Sequence, residues 1–153
     1  MNDPVQRLLD IEEIKQLKAR YCLLLDTHDW DQFRTLFTDD LNAEVGSGNY
    51  STADAFVQRL RGALSDESHA HFAYMPIIEI TGEGAARGLW AFSNRSALGQ
   101  YEERYRKQGG SWRIAAIKMT WIIPPSEDLM RERKGAFPEV AEHWQSVAAN
   151  WSG

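Results

Sequence analysis

Cysteine is nearly absent from the sequence, since Cys22 is the single one among 153 residues. One cysteine excludes a disulfide within the chain and suits a reducing compartment, so we expect a cytoplasmic protein. Long apolar runs are also missing, and none approaches the roughly 20 residues that cross a membrane. The first residues, MNDPVQRLLDIEE, are acidic and lack the basic start and apolar core of a signal peptide. We therefore expect no membrane partner.

Clustered positive charge is missing too. Lys and Arg number 17 against 22 Asp and Glu, and the net charge is −5. Nucleic-acid binding needs clustered cations facing phosphates, so no nucleic-acid partner is expected. The chain has no G-x-G-x-x-G fingerprint, no phosphate-binding Walker loop and no G-x-S-x-G serine elbow. Dinucleotides and nucleoside triphosphates therefore have no recognisable site, and a serine hydrolase of the elbow type is excluded.

The first third of the chain contains helical patterns. Residues 4–28 predict a helix, because apolar side chains recur every three or four positions. This pattern leaves Glu12, Lys15 and Lys18 mostly to solvent. Asp29 is placed to cap a second helix, as in a capping box. The stretch TDDLNAEVGSGNY then predicts a short strand and a loop, and a third short helix follows it.

Four strand-like runs make up the second half: HAHFAYMPIIEI, AARGLWAFSNRSAL, GQYEERYRK and SWRIAAIKMTWII. The turn signals TGEG and KQGG suit hairpins, so the runs predict an antiparallel meander. Helices first and strands afterwards indicate the α+β class, with helices on one face of a sheet. PPSED is expected to stop the last strand. Residues 136–151 predict an amphipathic helix that covers a cavity mouth or a neighbouring subunit.

Two kinds of chemistry receive little support from the residues. Cys22 lies in an apolar helix with no histidine nearby in sequence, which favours an inert buried thiol over a nucleophile. His69 and His71 share one face of a strand and could both reach a metal ion. A third ligand is missing, because Glu79 is too far along the strand. We therefore expect no metal.

Acid–base chemistry is the remaining possibility. A strand histidine paired with a helix carboxylate is a workable general base, since the carboxylate fixes the tautomer and stabilises the imidazolium. Asp26 follows the apolar stretch YCLLL and is a candidate for that carboxylate. Helical geometry does not place Tyr21 and Asp26 on one face. From the residues alone, Asp26 as a helix-end turn former and Tyr21 as a core residue remain open alternatives.

The stretch IEEIKQLKARYCLLLDTHDWDQFRTLFTDD resembles the first helices of SnoaL-like proteins in the nuclear transport factor 2-like superfamily. The runs MPIIEITGEGAARGLWAFS and GQYEERYRKQGGSWRI resemble that family's strands and hairpins, and the likeness covers roughly residues 8–122. It implies a cone-shaped α+β barrel, in which a strongly curved mixed sheet surrounds a pocket and N-terminal helices close the wide end. It also implies a single domain over residues 1–153, with 124–153 as a C-terminal helical extension.

Within the family the chain looks most similar to scytalone dehydratase, bile acid 7-alpha-dehydratase and hexachlorocyclohexane dehydrochlorinase. These enzymes eliminate water or HCl without a cofactor, using a helix carboxylate paired with a strand histidine. The resemblance places Tyr21, Asp26 and His71 on the catalytic positions, with His71 favoured over His69 by its distance before Met-Pro. The dehydratases have a further acid or histidine where this chain has Asn94, and an asparagine can orient a substrate but cannot carry a proton.

The resemblance therefore implies a cofactor-independent lyase of the dehydratase type, or an isomerase. Its substrate would be a small hydrophobic molecule, such as an aromatic, polyketide or steroid-like compound. In this reading His71 takes a proton, Asp26 orients His71, and Tyr21 assists the leaving oxygen or enolate. Substrate-binding candidates are the polar Asn94 and Tyr101 and the apolar Trp30, Trp90, Phe92, Met119 and Trp121, each of which could instead be ordinary core.

A second hypothesis is a module without turnover. The same fold serves as a ligand carrier and as the small subunit of ring-hydroxylating dioxygenases. A binding protein has no need of a carboxylate–imidazole pair in an apolar cavity, so the state of that pair separates the two hypotheses. In either case the resemblance implies a homo-oligomer, either a trimer or a dimer.

Overall fold

The computed structural model describes residues 3–64, 69–94, 97–123 and 138–151. The helices are α1 (Pro4–Asp26), α2 (Trp30–Arg34), α3 (Ala53–Leu64) and α4 (Pro138–Trp151). The strands are β1 (Phe37–Val45), β2 (Gly48–Tyr50), β3 (His71–Gly82), β4 (Ala85–Asn94), β5 (Ala97–Gln108) and β6 (Ser111–Ile123). The predicted stop at PPSED and the proposed extension from residue 124 to 137 lie outside the described residues.

The ends of α1 follow from its sequence. Asp3 accepts a hydrogen bond from the Val5 amide, and Pro4 occupies the first turn, where its missing N–H costs nothing. The helix ends at Asp26, two residues earlier than predicted, because His28 adopts a φ of 57°. That left-handed backbone cannot continue a right-handed helix. Asp29 then caps α2 by accepting a hydrogen bond from the Gln32 amide, as predicted.

The six strands form one mixed sheet in the order β2-β1-β6-β5-β4-β3. Strands β3 to β6 make the predicted antiparallel meander, and β1 runs parallel to β6. The hairpin turns contain glycines with positive φ at Gly84, Gly109 and Gly110, which is the conformation that glycine adopts without steric cost. The predicted α+β class with helices preceding a curved mixed sheet is therefore confirmed.

Within the described residues the curved sheet is open, with β2 and β3 as its edges. One detail of the sheet differs from the prediction. The predicted loop after β1 contains β2 instead, which pairs with the end of β1. The small and polar residues of GSGNY do not predict this strand. Its one large residue, Tyr50, packs against Phe56 of α3 at 5.9 Å between ring centroids. The pairing with β1 and this contact with the next helix make a strand of a segment whose composition predicts a loop.

The edge strand β3 bends where the chain reaches Met75 and Pro76. Its register with β4 shifts between Tyr74 and Ile77, and Met75 has a φ of 50°. Such a bulge bends a strand and increases its twist. Four apolar side chains of this edge are exposed: Phe72, Tyr74, Met75 and Ile77. The homo-oligomer stays a prediction, and this apolar edge is compatible with it.

Helix α1 packs on the sheet through Ile14, Leu17, Tyr21 and Leu25, which are all at most 2% exposed. The apolar pattern does not reach the start of the helix, where Leu8 and Leu9 are exposed. Lys18 was predicted to face solvent, but it is buried at 1% exposure. The prediction was wrong because a charged residue on the packed side of a helix becomes acceptable when a buried partner meets it.

The tail helix α4 packs against its own sheet. Val147 and Trp151 are buried against Leu89 of β4. The Arg87 guanidinium lies 4.5 Å from the centroid of the Trp151 ring and donates a hydrogen bond to the Asn150 carbonyl. In the part of α4 whose side chains are described, the apolar stripe therefore covers a strand of this chain. None of the described helices has both the length and the apolarity that crossing a bilayer requires.

A polar contact attaches the first turns of α1 to the β5–β6 hairpin. The Asp10 carboxylate accepts hydrogen bonds from Lys107 Nζ at 2.8 Å, Trp112 Nε1 at 2.9 Å and Gln6 Nε2 at 3.2 Å. Burial raises the pKa of Asp10, but these donors outweigh that effect and leave the pKa below its ordinary value. The charged form of Asp10 is therefore favoured in the folded state.

We predict that Leu25→Ala lowers the free energy of unfolding by about 2–5 kcal/mol, because it leaves a cavity between α1 and the sheet. The matched control is Leu23→Ala two residues earlier, where the side chain is 61% exposed. That variant is expected to change stability by less than about 0.5 kcal/mol. Urea unfolding followed by circular dichroism measures both, and equal losses would contradict the described packing of α1.

We also predict a pH dependence for the Asp10 contact. A carboxyl whose pKa is lowered on folding stabilises the protein above its unfolded pKa, and this stabilisation is lost as pH falls through the folded pKa. Asp10→Asn should therefore reduce stability at neutral pH, and the difference from wild type should shrink in acid. Urea unfolding at several pH values measures this, with Glu83→Gln in the exposed β3–β4 turn as the control. A deficit that stays constant into acid would argue against the ionic contact.

Candidate active site

The end of α1 and the start of β3 meet through two side chains. Asp26 is the last residue of α1, and His71 is the first residue of β3. The Asp26 carboxylate contacts His71 twice: Oδ1 lies 2.5 Å from the ring Nδ1, and Oδ2 accepts a hydrogen bond from the His71 backbone N–H at 2.8 Å. A carboxylate accepts hydrogen bonds, so Nδ1 carries the proton and Nε2 is the basic nitrogen in the neutral ring.

Asn94 completes the contacts of the imidazole. It ends β4 and pairs in register with His71 across the β3–β4 ladder. Its Nδ2 lies 3.1 Å from His71 Nε2, so the amide donates to the basic nitrogen. The other amide atom, Oδ1, is buried and has no hydrogen-bond partner among the residues that the structure describes. The three side chains therefore form a line from Asp26 through His71 to Asn94.

A groove of about 450 Å³ lies between α1 and the edge strand β3, and His71 is in its wall. The lining residues are Lys15, Lys18, Ala19, Cys22, His71, Phe72, Ala73, Tyr74, Pro76 and Trp90. Most of them are apolar or aromatic, as is usual for sites that bind small molecules. Of the residues predicted for the site, His71 and Trp90 line this groove, whereas Asp26 and Asn94 reach it only through His71.

Tyr21 lies deeper than a groove-lining residue. It is 2% exposed, and its ring packs 5.1 Å from Phe33 and 6.0 Å from Tyr101 between centroids. The hydroxyls of Tyr21 and Tyr101 are hydrogen-bonded to each other. Burial raises the pKa of both phenols, with Glu103 adding to the effect, so both stay protonated. The predicted role of Tyr21 at a leaving group stays a prediction.

The other predicted lining residues lie in the core around these tyrosines. Phe92 stacks on Tyr101 at 4.4 Å and meets Trp121 edge-on at 5.3 Å. Met119 is half-buried and pairs in register with Tyr101. Trp30 is half-buried at the other end, where it stacks on His28 at 5.5 Å. Their contacts are those of ordinary core, and their predicted contact with substrate stays a prediction.

The sequence reasoning missed a buried polar network beside the groove. The Lys18 ammonium forms an ion pair with Glu103, and both side chains are at most 1% exposed. Glu103 also accepts a hydrogen bond from the Tyr105 hydroxyl, which in turn accepts one from Trp90 Nε1 at 2.7 Å. A Cβ at Gly88 would lie 2.8 Å from that hydroxyl, which explains the glycine there.

Lys18 is also held by aromatic rings. Its Nζ lies 3.6 Å from the centroid of Tyr101 and 4.0 Å from that of Tyr21. A cation over a ring face is stabilised by the ring quadrupole, and more so when water is excluded. Helical spacing is the sequence signal that could have placed Lys18 at the site. Lys18 lies four residues before Cys22 and eight before Asp26, on one stripe of α1. Glu103 lies between the half-buried Glu102 and the exposed Arg104 on β5, and nothing in the sequence joins it to Lys18.

The remaining groups near the site are a thiol and two histidines. Burial raises the pKa of the Cys22 thiol, which keeps it protonated and unreactive. The His69 ring lies 5.9 Å from that of His71 and 6.3 Å from that of His28. Within the described part of the chain, no three histidine, cysteine or acidic side chains are arranged to hold a metal ion.

With this geometry established, comparison with known proteins identifies the family. Residues 6–118 match the SnoaL-like domain, which is most of the chain. The chain belongs to the SnoaL-like family. The match includes α1 from its third residue onward, the meander up to the middle of β6, and all three residues of the Asp26–His71–Asn94 line.

Solved structures of other proteins have the same fold. Rv3472 of Mycobacterium tuberculosis, a protein of unknown function, has a TM-score of 0.72 at 22% identity, covering 97% of this chain and 95% of that one. A scytalone dehydratase-like protein of Novosphingobium aromaticivorans has a TM-score of 0.70 at 17% identity, covering 76% and 87%. The hexachlorocyclohexane dehydrochlorinase LinA-type3 of Novosphingobium barchaimii has a TM-score of 0.71 at 14% identity, covering 78% and 91%. At these identities the likeness shows the fold.

We predict that Lys18→Met destabilises this SnoaL-like protein by about 3–5 kcal/mol, because it leaves the Glu103 carboxylate buried without its partner. The double variant Lys18→Met/Glu103→Gln removes both charges and should recover most of that loss. Urea unfolding of the two single variants and the double variant measures the coupling between the residues. Additive losses would contradict the ion pair.

Proposed function

We propose that this protein is a cofactor-independent lyase or isomerase in which His71 is the general base. The observation that carries the proposal is the double contact between the Asp26 carboxylate and His71 at the wall of an apolar groove. A carboxylate that holds both the ring and the backbone of one histidine fixes the orientation and the tautomer of the imidazole. It leaves Nε2 as the ring nitrogen with a lone pair, and this nitrogen takes a proton when its hydrogen bond from Asn94 Nδ2 opens.

The chemistry that these groups support is proton abstraction followed by elimination or proton return. His71 Nε2 takes a proton from carbon, and the electrons of the broken C–H bond form a C=C bond. In an elimination the leaving group departs as chloride, or as water when the imidazolium returns the proton to a departing hydroxide. In an isomerisation the imidazolium returns the proton to another carbon. Asp26 stabilises the imidazolium between the two steps.

The groove limits the class of substrate. A volume of about 450 Å³ suits one small ring compound rather than a polymer. Its lining residues include the aromatic Phe72, Tyr74 and Trp90, and these favour an apolar or aromatic ring. The proposed substrate is therefore a small hydrophobic molecule with an acidic C–H bond beside a carbonyl or a leaving group.

The relatives support this reaction class by analogy. Proteins of the same fold carry the names scytalone dehydratase and hexachlorocyclohexane dehydrochlorinase, and both names describe eliminations. One fold can carry many functions, so the argument depends on the Asp26–His71 pair of this chain. The tyrosine that the family places near the reaction is buried here at Tyr21, and its part in the step remains a proposal.

We predict that His71→Gln and Asp26→Asn each lower turnover by about 10²–10⁴-fold while the protein stays folded. Turnover is measured on a panel of hydroxylated and halogenated ring compounds, and folding is checked by circular dichroism. His69→Gln is the matched control, because that histidine makes no described contact with Asp26.

Two outcomes would contradict the proposal. Full turnover in Asp26→Asn would remove the carboxylate from the mechanism. Tight binding of panel compounds without turnover in the wild-type protein would favour the alternative, a ligand-binding or assembly module of the kind that accompanies ring-hydroxylating dioxygenases.

A further inference from the structure

Only one of the two polar atoms of the Asn94 amide makes a hydrogen bond with the described residues. Its Nδ2 donates to His71 Nε2 at 3.1 Å, and its Oδ1 is buried without a hydrogen-bond partner among the described residues. Leaving a buried acceptor unpaired is costly, and most buried polar atoms in proteins are paired. A neutral imidazole offers one acceptor to this amide and nothing for the oxygen.

Protonation of His71 would reverse this arrangement. Nε2 then carries a hydrogen and becomes a donor, so an amide N–H facing it would be repelled. Rotation of the amide by half a turn about χ2 places Oδ1 against the new N–H. That contact would be charge-assisted, and such hydrogen bonds are roughly twice as strong as neutral ones.

We propose that Asn94 is a two-position hydrogen-bond partner whose amide rotates with the protonation state of His71. In the neutral state Nδ2 donates to Nε2, and in the imidazolium state Oδ1 accepts from Nε2–H. Asn94 is thus a positioning residue that holds the ring in both states without exchanging a proton itself. Its meaning for catalysis rests on the proposed function, whereas the rotation can be observed without a substrate.

The other groups facing His71 leave Nε2 as the atom that titrates. From α1, Asp26 engages Nδ1 and the backbone N–H, and Cys22 has a raised pKa and stays neutral. Lys18 of the same groove is already paired with Glu103. From the segment before β3, the His69 ring is 5.9 Å from the His71 ring, without a described hydrogen bond to it. Asn94 is therefore the one described partner of Nε2.

A first test is NMR on the ¹⁵N-labelled, ligand-free protein across a pH titration. At high pH a scalar coupling across the N–H···N hydrogen bond should join Asn94 Nδ2 to His71 Nε2. When His71 is protonated, the coupling should disappear while the Nε2 proton stays protected from exchange with water. A coupling absent at high pH, or an Nε2 proton that exchanges freely at low pH, would overturn the proposal.

A second test is the direction in which Asn94→Leu moves the midpoint of the His71 titration. The rotating amide stabilises the imidazolium more than the neutral ring, so its removal should move the midpoint to lower pH by about half a pH unit. A fixed amide repels the imidazolium, so its removal would move the midpoint to higher pH. A rise or an unchanged midpoint overturns the proposal. Asn49→Leu, on the far edge strand β2, is the matched control and should leave the midpoint unchanged.

These readouts are independent of turnover. If no panel compound is converted and both NMR results are obtained, the proposed lyase or isomerase activity fails and the behaviour of Asn94 remains. If turnover depends on His71 and the coupling is absent, the activity remains and the two-position amide fails.

Discussion

The Asp26 carboxylate joins the end of α1 to the start of β3, two points that are 45 residues apart in sequence. Both of its oxygens are hydrogen-bonded to His71, so the carboxylate fixes the strand backbone and the imidazole at the same time. The position of β3 matters because it is an edge strand with only β4 beside it. The groove, the tautomer of His71 and the contact with Asn94 all depend on this link between helix and edge.

A second set of charges lies behind the groove and has a different physical character. Lys18 and Glu103 are withdrawn from water almost completely, and the hydroxyl of Tyr105 and the rings of Tyr21 and Tyr101 satisfy what the ion pair leaves open. A buried ion pair is seldom a net source of stability compared with apolar residues of similar volume. A shift of α1 along the sheet would separate these two charges, so the ion pair favours the register that α1 has here.

The local elements could be predicted well because their signals are local. Asp29 before an apolar run caps a helix, and glycines in TGEG and KQGG permit tight hairpins, whatever the rest of the chain does. The exceptions arise where packing, pairing or backbone geometry overrides composition. Strand β2 pairs with β1 while Tyr50 packs on α3, α1 stops before the left-handed His28, and Lys18 is buried because Glu103 lies opposite.

The sequence by itself determined the α+β class, the order of the elements and the candidates Asp26 and His71, since periodicity, turn residues and family resemblance are properties of the chain alone. Only the tertiary structure decided that the Asp26 carboxylate uses both oxygens on His71, that Asn94 occupies Nε2, and that Tyr21 lies in the core beside Tyr101. The physical reason is that hydrogen bonds act over about 3 Å, and sequence patterns do not specify which residues of distant segments approach to that distance.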